Sequence, residues 1–380
     1  MRAKQTVIIF FGVSVSLILG FLSMLYAYDP LQLFHKHWHG DKRVLSSDMR
    51  AQAAGILNTY DYDSIILGTS MLANTSAKEA SAVFGAKFLN VSFPGSDFYK
   101  RSFVLKYALR NKEIKKVLYS LDDIGLVEGR ERDASDFSYL YDTNRFNDFK
   151  IYITKKQLTC LFLFSSSPQC QGEVRDIDRP TAWYYKQEHK QRFGGMKNWF
   201  KAKNSPQIKK AFANILDVTK KIKNREVAKK FPLEEKKLEL KNYLDKNIIS
   251  IAQQYKDTEF ILMLPPYSRL NYAMNAQYDK QKFELYLSSL LYLVVKSSEV
   301  KNIKIFAWGN EKFVDQIKNY KDPSHYEYTF NSWMLKQIKL KQGLLNNDNV
   351  NSYINLFKDK SLHYDIFKIS KSIETYLDQE

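Results

Sequence analysis

Two short segments far apart in the chain carry the residue types of an acyl-transfer triad: Gly68-Thr69-Ser70 and Asp322-Pro323-Ser324-His325. A hydroxyl is a poor nucleophile at neutral pH. It needs an imidazole base, and the imidazole needs a carboxylate to fix its tautomer and stabilise its protonated form. If folding brings the segments together, Ser70 attacks an acyl carbonyl, His325 takes its proton and returns it to the leaving group, and Asp322 orients the ring. The plain alternative is a helix-capping serine and an Asp/His loop that caps the following helix.

The surrounding pattern could position such a site. Ser70 follows the apolar run Ser64-Ile65-Ile66-Leu67 and precedes Met71 to Ala80, which reads as helix, so its hydroxyl is expected at the carboxyl edge of a sheet, where open α/β sheets bind ligands. Apolar runs at 64–67, 87–91, 116–121, 259–264 and 303–308 predict buried strands separated by helical periodicity. Five such strands predict an α/β fold with a doubly wound parallel sheet, although periodicity does not give their order. Between Gly129 and about 235 the strand pattern lapses into a mostly helical insertion, which could carry specificity or act as a passive cap. Past His325, the amphipathic stretch 330–338 is expected to pack back on the sheet, and 351–376 to be helical.

The chain has 380 residues, 44% hydrophobic and 14% aromatic, enough for a sizeable core. Residues 6–28 carry no charge, and at about 1.5 Å per residue they can cross a hydrocarbon layer about 30 Å thick. Ala27 is a poor cleavage site because bulky Leu25 stands two residues before it, so an uncleaved anchor is expected. The division is then 1–28 cytoplasmic tip and anchor, 29–58 juxtamembrane segment, and 59–380 one body with its insertion at about 129–235. Arg2 and Lys4 favour an N-terminus inside the cytoplasmic membrane and an extracytoplasmic body, against a contrast weakened by Lys36, Lys42 and Arg43. Cys160 and Cys170 could form one disulfide in an oxidising compartment or remain two buried thiols. His35, His37 and His39 alternate around Trp38, but no acidic or cysteine ligand accompanies them, so an interfacial collar with Tyr28 is expected rather than a metal site.

A formal charge of +17 suits acidic glycans, teichoic-type polymers or anionic headgroups, or simply a solvated lysine-rich surface. No nucleic-acid recognition signature is present.

Three blocks resemble the SGNH (GDSL-like) hydrolase superfamily, particularly the membrane-anchored extracytoplasmic branch that includes alginate O-acetylation proteins and the teichoic acid D-alanyl transfer protein. The first is Asp61 to Met71, the second Asn90-Val91-Ser92-Phe93-Pro94-Gly95-Ser96, the third Asp322-Pro323-Ser324-His325-Tyr326. The resemblance implies a flavodoxin-like five-stranded sheet, catalytic Ser70, Asp322 and His325, and an oxyanion hole from the backbone N–H groups of Ser70 and Gly95. Two positions depart from the pattern. Thr69 replaces the usual Asp, and Ser120-Leu121-Asp122-Asp123-Ile124-Gly125 lacks the usual Asn, so either another donor such as Asn74 substitutes or the hole has only two donors. Loss of one donor typically costs about 10² to 10³ in rate.

The implied function is a membrane-anchored serine acyltransferase or esterase acting, through an acyl-Ser70 intermediate, on O-acetyl groups of an envelope polysaccharide. A membrane acyl-transfer partner would accompany it, and neither metal nor organic cofactor is required. The alternative is a catalytically inactive glycan-binding or assembly subunit. Tyr267 and Arg269, just after the fourth strand, are candidates to hold a sugar or an acidic group or else to serve structure. Arg50 is a fainter candidate of the same kind.

Overall fold

The computed structural model describes residues 2–38 and 43–379. The strands among them, in chain order, are β1 (Val44–Leu45), β2 (Ser64–Leu67), β3 (Phe88–Asn90), β4 (Lys116–Ser120), β5 (Glu173–Val174), β6 (Glu259–Leu264), β7 (Ile303–Ala307) and β8 (Leu344–Leu345). The chain forms two compact units, Met1–Asp61 with Asp133–Pro180, and Tyr62–Arg132 with Thr181–Glu380.

The larger unit is built on one sheet in the order β3-β2-β4-β6-β7-β8. The first five strands are parallel, and β8 lies antiparallel to β7. Counted among themselves, the parallel strands run 2-1-3-4-5, one of the common doubly wound orders. The expectation of five strands is corrected to six, because β8 is two residues long and too short to leave a periodic signature. Every residue of β2 is buried, as helices on both faces of a parallel sheet require. Side-chain caps start the flanking helices: Ser76 accepts from the Glu79 N–H and Asp97 from that of Lys100.

The helix expected from Met71 begins only at Ala77. The Asn90 side-chain amide donates to the carbonyls of both Leu72 and Thr75, groups that a helix starting at Met71 would use itself. Residues 70–74 therefore form a turn. The amphipathic stretch after His325 is the helix Thr329–Lys339, with Met334, Leu335 and Ile338 buried.

In the smaller unit, helix Ala3–Tyr28 is long and apolar enough to cross a bilayer, and its most apolar window is not buried against protein. Its last turns dock Leu25 and Tyr28. Asp29 follows, and its carboxylate accepts from the backbone N–H groups of Leu33, Phe34 and His35 and from the Tyr152 hydroxyl. These contacts, and the antiparallel pairing of β1 with β5, attach 133–180 to the segment that follows the apolar helix. The stretch expected as one insertion is thus divided, its second part, with helix Pro206–Lys223, belonging to the larger unit. Of the three collar histidines, His35 has both ring nitrogens on carbonyls, of Lys36 and Tyr26, His37 is buried, and His39 lies outside the described residues.

Cys160 and Cys170 form a disulfide. Closing a loop of this length stabilises by about 2 to 3 kcal/mol. Changing both cysteines to serine is expected to lower the denaturant midpoint of the unit that holds them, measured by urea unfolding of the detergent-solubilised protein.

Candidate active site

The turn that carries Ser70 starts at a residue with no room for a side chain. A Cβ at Gly68 would lie 2.6 Å from Ser120 Oγ and 2.9 Å from Leu72 Cβ, so β2 can turn here only with glycine. The Gly68 N–H donates to Ser92 Oγ at 3.0 Å, tying the turn to the end of β3. Two further donors grip it from elsewhere: the Tyr326 hydroxyl on the Met71 carbonyl and the Trp183 indole N–H on that of Ser70, both at 2.9 Å.

On this turn Ser70 Oγ stands 2.9 Å from His325 Nε2, and His325 Nδ1 lies 2.9 Å from both carboxylate oxygens of Asp322. The geometry assigns the tautomer: Nδ1–H donates to Asp322, leaving Nε2 to accept from the serine hydroxyl. Asp322 Oδ1 also accepts from the backbone N–H groups of Ser324 and His325. Burial works against the charge on Asp322, but His325, its hydrogen bonds and Lys321 outweigh it and hold the carboxyl well below the usual range. The group is therefore ionised at neutral and mildly acidic pH. Its contribution to stability is full above about pH 4, its unfolded value, and is lost as pH falls toward the depressed folded one.

The loop carrying Asp322 and His325 is held from below. Ser268 donates its N–H and hydroxyl to the Pro323 carbonyl, and the Tyr320 hydroxyl donates to the Pro266 carbonyl. Ser70 and His325 themselves are half-buried.

Trp183, which sequence reasoning did not single out, also meets His325 edge-on at 5.5 Å between ring centroids. The Lys321 ammonium lies 4.0 Å from the Trp183 ring centroid and 3.9 Å from Asp322 Oδ2. Burial lowers Lys321 to about 8, against the pull of Asp322. Burial and the Lys321 charge likewise lower His189 to about 4, so His189 stays neutral at pH 7 and its Nδ1 can accept from the ammonium at 3.4 Å. Trp183→Phe removes the donor on the Ser70 carbonyl while keeping most of the ring. If the serine is reactive, its rate of phosphonylation should drop about tenfold, the value of one hydrogen bond near 1.4 kcal/mol.

The backbone groups expected to serve an oxyanion lie in two turns. Gly95 adopts φ +72° in an exposed turn after β3, a conformation that favours glycine. Among the described residues, the N–H groups of Ser70 and Gly95 donate to no protein acceptor. Asn74 turns its Oδ1 to the N–H groups of Trp183 and Tyr184, and its Nδ2 is buried without a partner.

Asp122, whose charge would oppose an oxyanion, is bound into the interior. Its carboxylate accepts from Thr69 Oγ1 at 2.6 Å, Ser120 Oγ at 2.7 Å and the Tyr267 hydroxyl at 3.3 Å, and pairs with Arg101 at 2.9 Å. The two departures in sequence, Thr69 and Asp122, are therefore one hydrogen-bonded unit. Arg101 is fully buried, its guanidinium 4.8 Å from the Phe98 ring centroid and 4.5 Å from that of Tyr119. Removing one member of such a pair typically costs about 3 to 5 kcal/mol because the other charge is left uncompensated. Arg101→Met should lower the thermal midpoint sharply, and adding Asp122→Leu should recover part of the loss.

Tyr267 and Arg269, candidates either to hold a ligand or to serve structure, are buried and take the structural role. Tyr267 points to Asp122, and Arg269 is spent on Asp315, Ser361 Oγ and the Gly309 carbonyl. Their segment does reach the carboxyl edge, but it supports the Asp322–His325 loop. Arg50 belongs to the smaller unit and pairs there with Asp48 and Asp136. Of the residues read from sequence, the fold thus unites Ser70, Asp322 and His325.

Arg101 and Trp183 had sequence signals. Arg101 lies on the stripe Phe98, Arg101, Leu105, Ala108, a charge on an otherwise apolar helix face. Trp183-Tyr184-Tyr185 is an aromatic run inside a polar insertion. Lys321 offered none beyond adjacency to Asp322. No family model matches the chain, and no curated protein is significantly similar to it.

Proposed function

We propose that this chain is a membrane-anchored serine acyltransferase or esterase with an SGNH-like, flavodoxin-like body, which moves or removes an acyl group, preferentially O-acetyl, on a cell-envelope polysaccharide. The observation that carries the reading is the unbroken relay from Ser70 Oγ through His325 to Asp322, each link 2.9 Å, made by residues 255 positions apart.

Ser70 attacks the ester carbonyl as its proton passes to His325 Nε2. The resulting oxyanion is met by the N–H groups of Ser70 and Gly95, while the Asn74 amide, buried beneath the turn, stays out of its reach. Collapse expels the alcohol, which takes the proton back from His325 and leaves acyl-Ser70. A sugar hydroxyl or water then attacks in the second half-reaction, with His325 again the base. Asp322, ionised throughout, stabilises the imidazolium in both halves.

A glycan acceptor is supported by an aromatic strip beside the triad. Tyr184 stacks on Tyr328 at 4.3 Å and contacts Tyr185 at 4.1 Å, next to Trp183, offering flat faces to sugar rings. The charge of +17 favours an acidic polymer. Arg2 and Lys4 before the span, and the disulfide after it, support an N-terminus inside and a body outside, where a membrane acyl-transfer partner would supply the donor.

The test is turnover of p-nitrophenyl acetate with and without an acidic oligosaccharide, followed by mass spectrometry of the sugar. Acetylated sugar that requires Ser70 supports transfer, and nitrophenol release alone supports hydrolysis. Absence of both in folded protein contradicts the reading. A catalytically silent glycan-binding subunit draws on one observation: Asp122, consumed internally, supplies no oxyanion donor after β4.

A further inference from the structure

The smaller unit holds a loop that the proposed chemistry does not use. Helix Lys155–Phe162 ends in Leu161-Phe162-Leu163-Phe164, and the Cys160–Cys170 disulfide closes the segment that follows. Phe162, Leu163 and Phe164 are 65%, 72% and 56% exposed, three consecutive large apolar side chains facing out. Scattered exposed apolar residues are ordinary, but a contiguous set marks an interaction surface. Phe164 also takes φ +45°, a left-handed conformation that is costly for a bulky residue, so the turn that displays the set is built against local preference.

The contacts of this loop fix its level along the apolar helix. The Phe162 ring lies 6.5 Å from Phe21, the Phe164 ring 5.5 Å from Tyr28, and the Tyr28 hydroxyl donates to the Ser165 carbonyl at 2.6 Å. About 20 residues of helix cross the hydrocarbon layer. A span beginning after Lys4 reaches its far boundary near Met24 or Leu25, which leaves Phe21 about one turn inside and Tyr28 at headgroup level. Phe162 then sits at acyl-chain depth and Phe164 at the interface. Lys155 and Lys156, both exposed at the start of the same helix, suit lipid phosphates.

We propose that the disulfide-closed loop 160–170 inserts Phe162, Leu163 and Phe164 into the leaflet nearest the folded body, giving the protein a second, monotopic membrane contact beside its anchor. The occupant is lipid rather than a protein partner, because the apolar set is continuous, through Phe21 and Tyr28, with the exposed face of a helix long and apolar enough to cross a bilayer. The inference rests on the reading of Ala3–Tyr28 as a membrane anchor. Its consequence is mechanical: a rigid attachment at two points sets the tilt of the smaller unit on the bilayer, where a single helix would leave it free to swing.

The test is photo-crosslinking of the full-length protein, one copy per nanodisc, with p-benzoylphenylalanine replacing Leu163, Phe162 or Leu17 in separate samples. Lipid adducts at 163 and 162, as well as at 17, are expected by mass spectrometry. An adduct at 17 with none at 162 or 163 overturns the loop proposal and leaves the anchor intact. No adduct at any position removes the anchor and the loop together. Nanodiscs loaded with two copies distinguish self-association: dimer crosslinks at 163 in place of lipid adducts also overturn the proposal.

Discussion

Ser70→Ala is expected to leave a folded protein that no longer turns over p-nitrophenyl acetate through a serine intermediate, with a loss of about 10⁴- to 10⁶-fold in kcat/KM. Ser70 Oγ contributes nothing to the core. It is half-buried on a turn held by other groups, namely the Asn90 amide, the Tyr326 hydroxyl and the Trp183 indole. Deleting one oxygen should therefore leave the melting temperature within a few degrees of the parent, since surface changes away from such features are usually worth less than about 0.5 kcal/mol. Residual activity at the parent level in this variant would show that another group performs the attack.

Asp322→Asn is expected to cost about 10⁴-fold in kcat with little change in KM. An amide at this position can donate to Nδ1 and so favours the tautomer that carries its proton on Nε2, the wrong nitrogen for accepting from Ser70. It also withdraws the charge that stabilises the imidazolium. The variant differs from Ser70→Ala in stability. Asp322 is buried, its oxygens accept two backbone N–H groups, and Lys321 lies 3.9 Å away, so the uncharged amide leaves that buried ammonium with less compensation. Thermal stability should fall at neutral pH, and the difference from the parent should shrink as pH drops below about 4, where the parent's carboxylate begins to lose its own advantage. A difference independent of pH would show that the carboxylate of Asp322 is not held in its charged form by the fold.

The elements that sequence reveals here are those with uniform burial. The runs at 64–67 and 259–264 coincide with β2 and β6 because a strand covered on both faces leaves an unbroken apolar signature bounded by polar residues. The meeting of Ser70 with Asp322 and His325 was legible by topology: parallel strands end on one edge, and both segments follow strands. What was not legible is direction at that edge. Tyr267 and Arg269 lie in the expected segment but point inward, toward Asp122 and Asp315, since position after a strand says nothing about which way a side chain faces. Residues from Met71 read as helix in sequence but turn instead, because Asn90, distant in sequence, takes the carbonyls of Leu72 and Thr75. Trp183 reaches the site through tertiary folding of a segment that reads from sequence as a mostly helical insertion, with nothing to say which of its side chains turn to the sheet edge. Asp122 looked hostile to an oxyanion from sequence, and its neutralisation depends on Arg101 from a neighbouring helix.

The claim on which the account stands is that Ser70 is an activated nucleophile. A fluorophosphonate probe incubated with the full-length protein in detergent, followed by peptide mapping, measures this directly. The account predicts a single phosphonylated residue, Ser70, formed in the parent and absent in His325→Ala at the same exposure. Folded parent protein in which Ser70 stays unmodified, or is modified equally fast without His325, would contradict it.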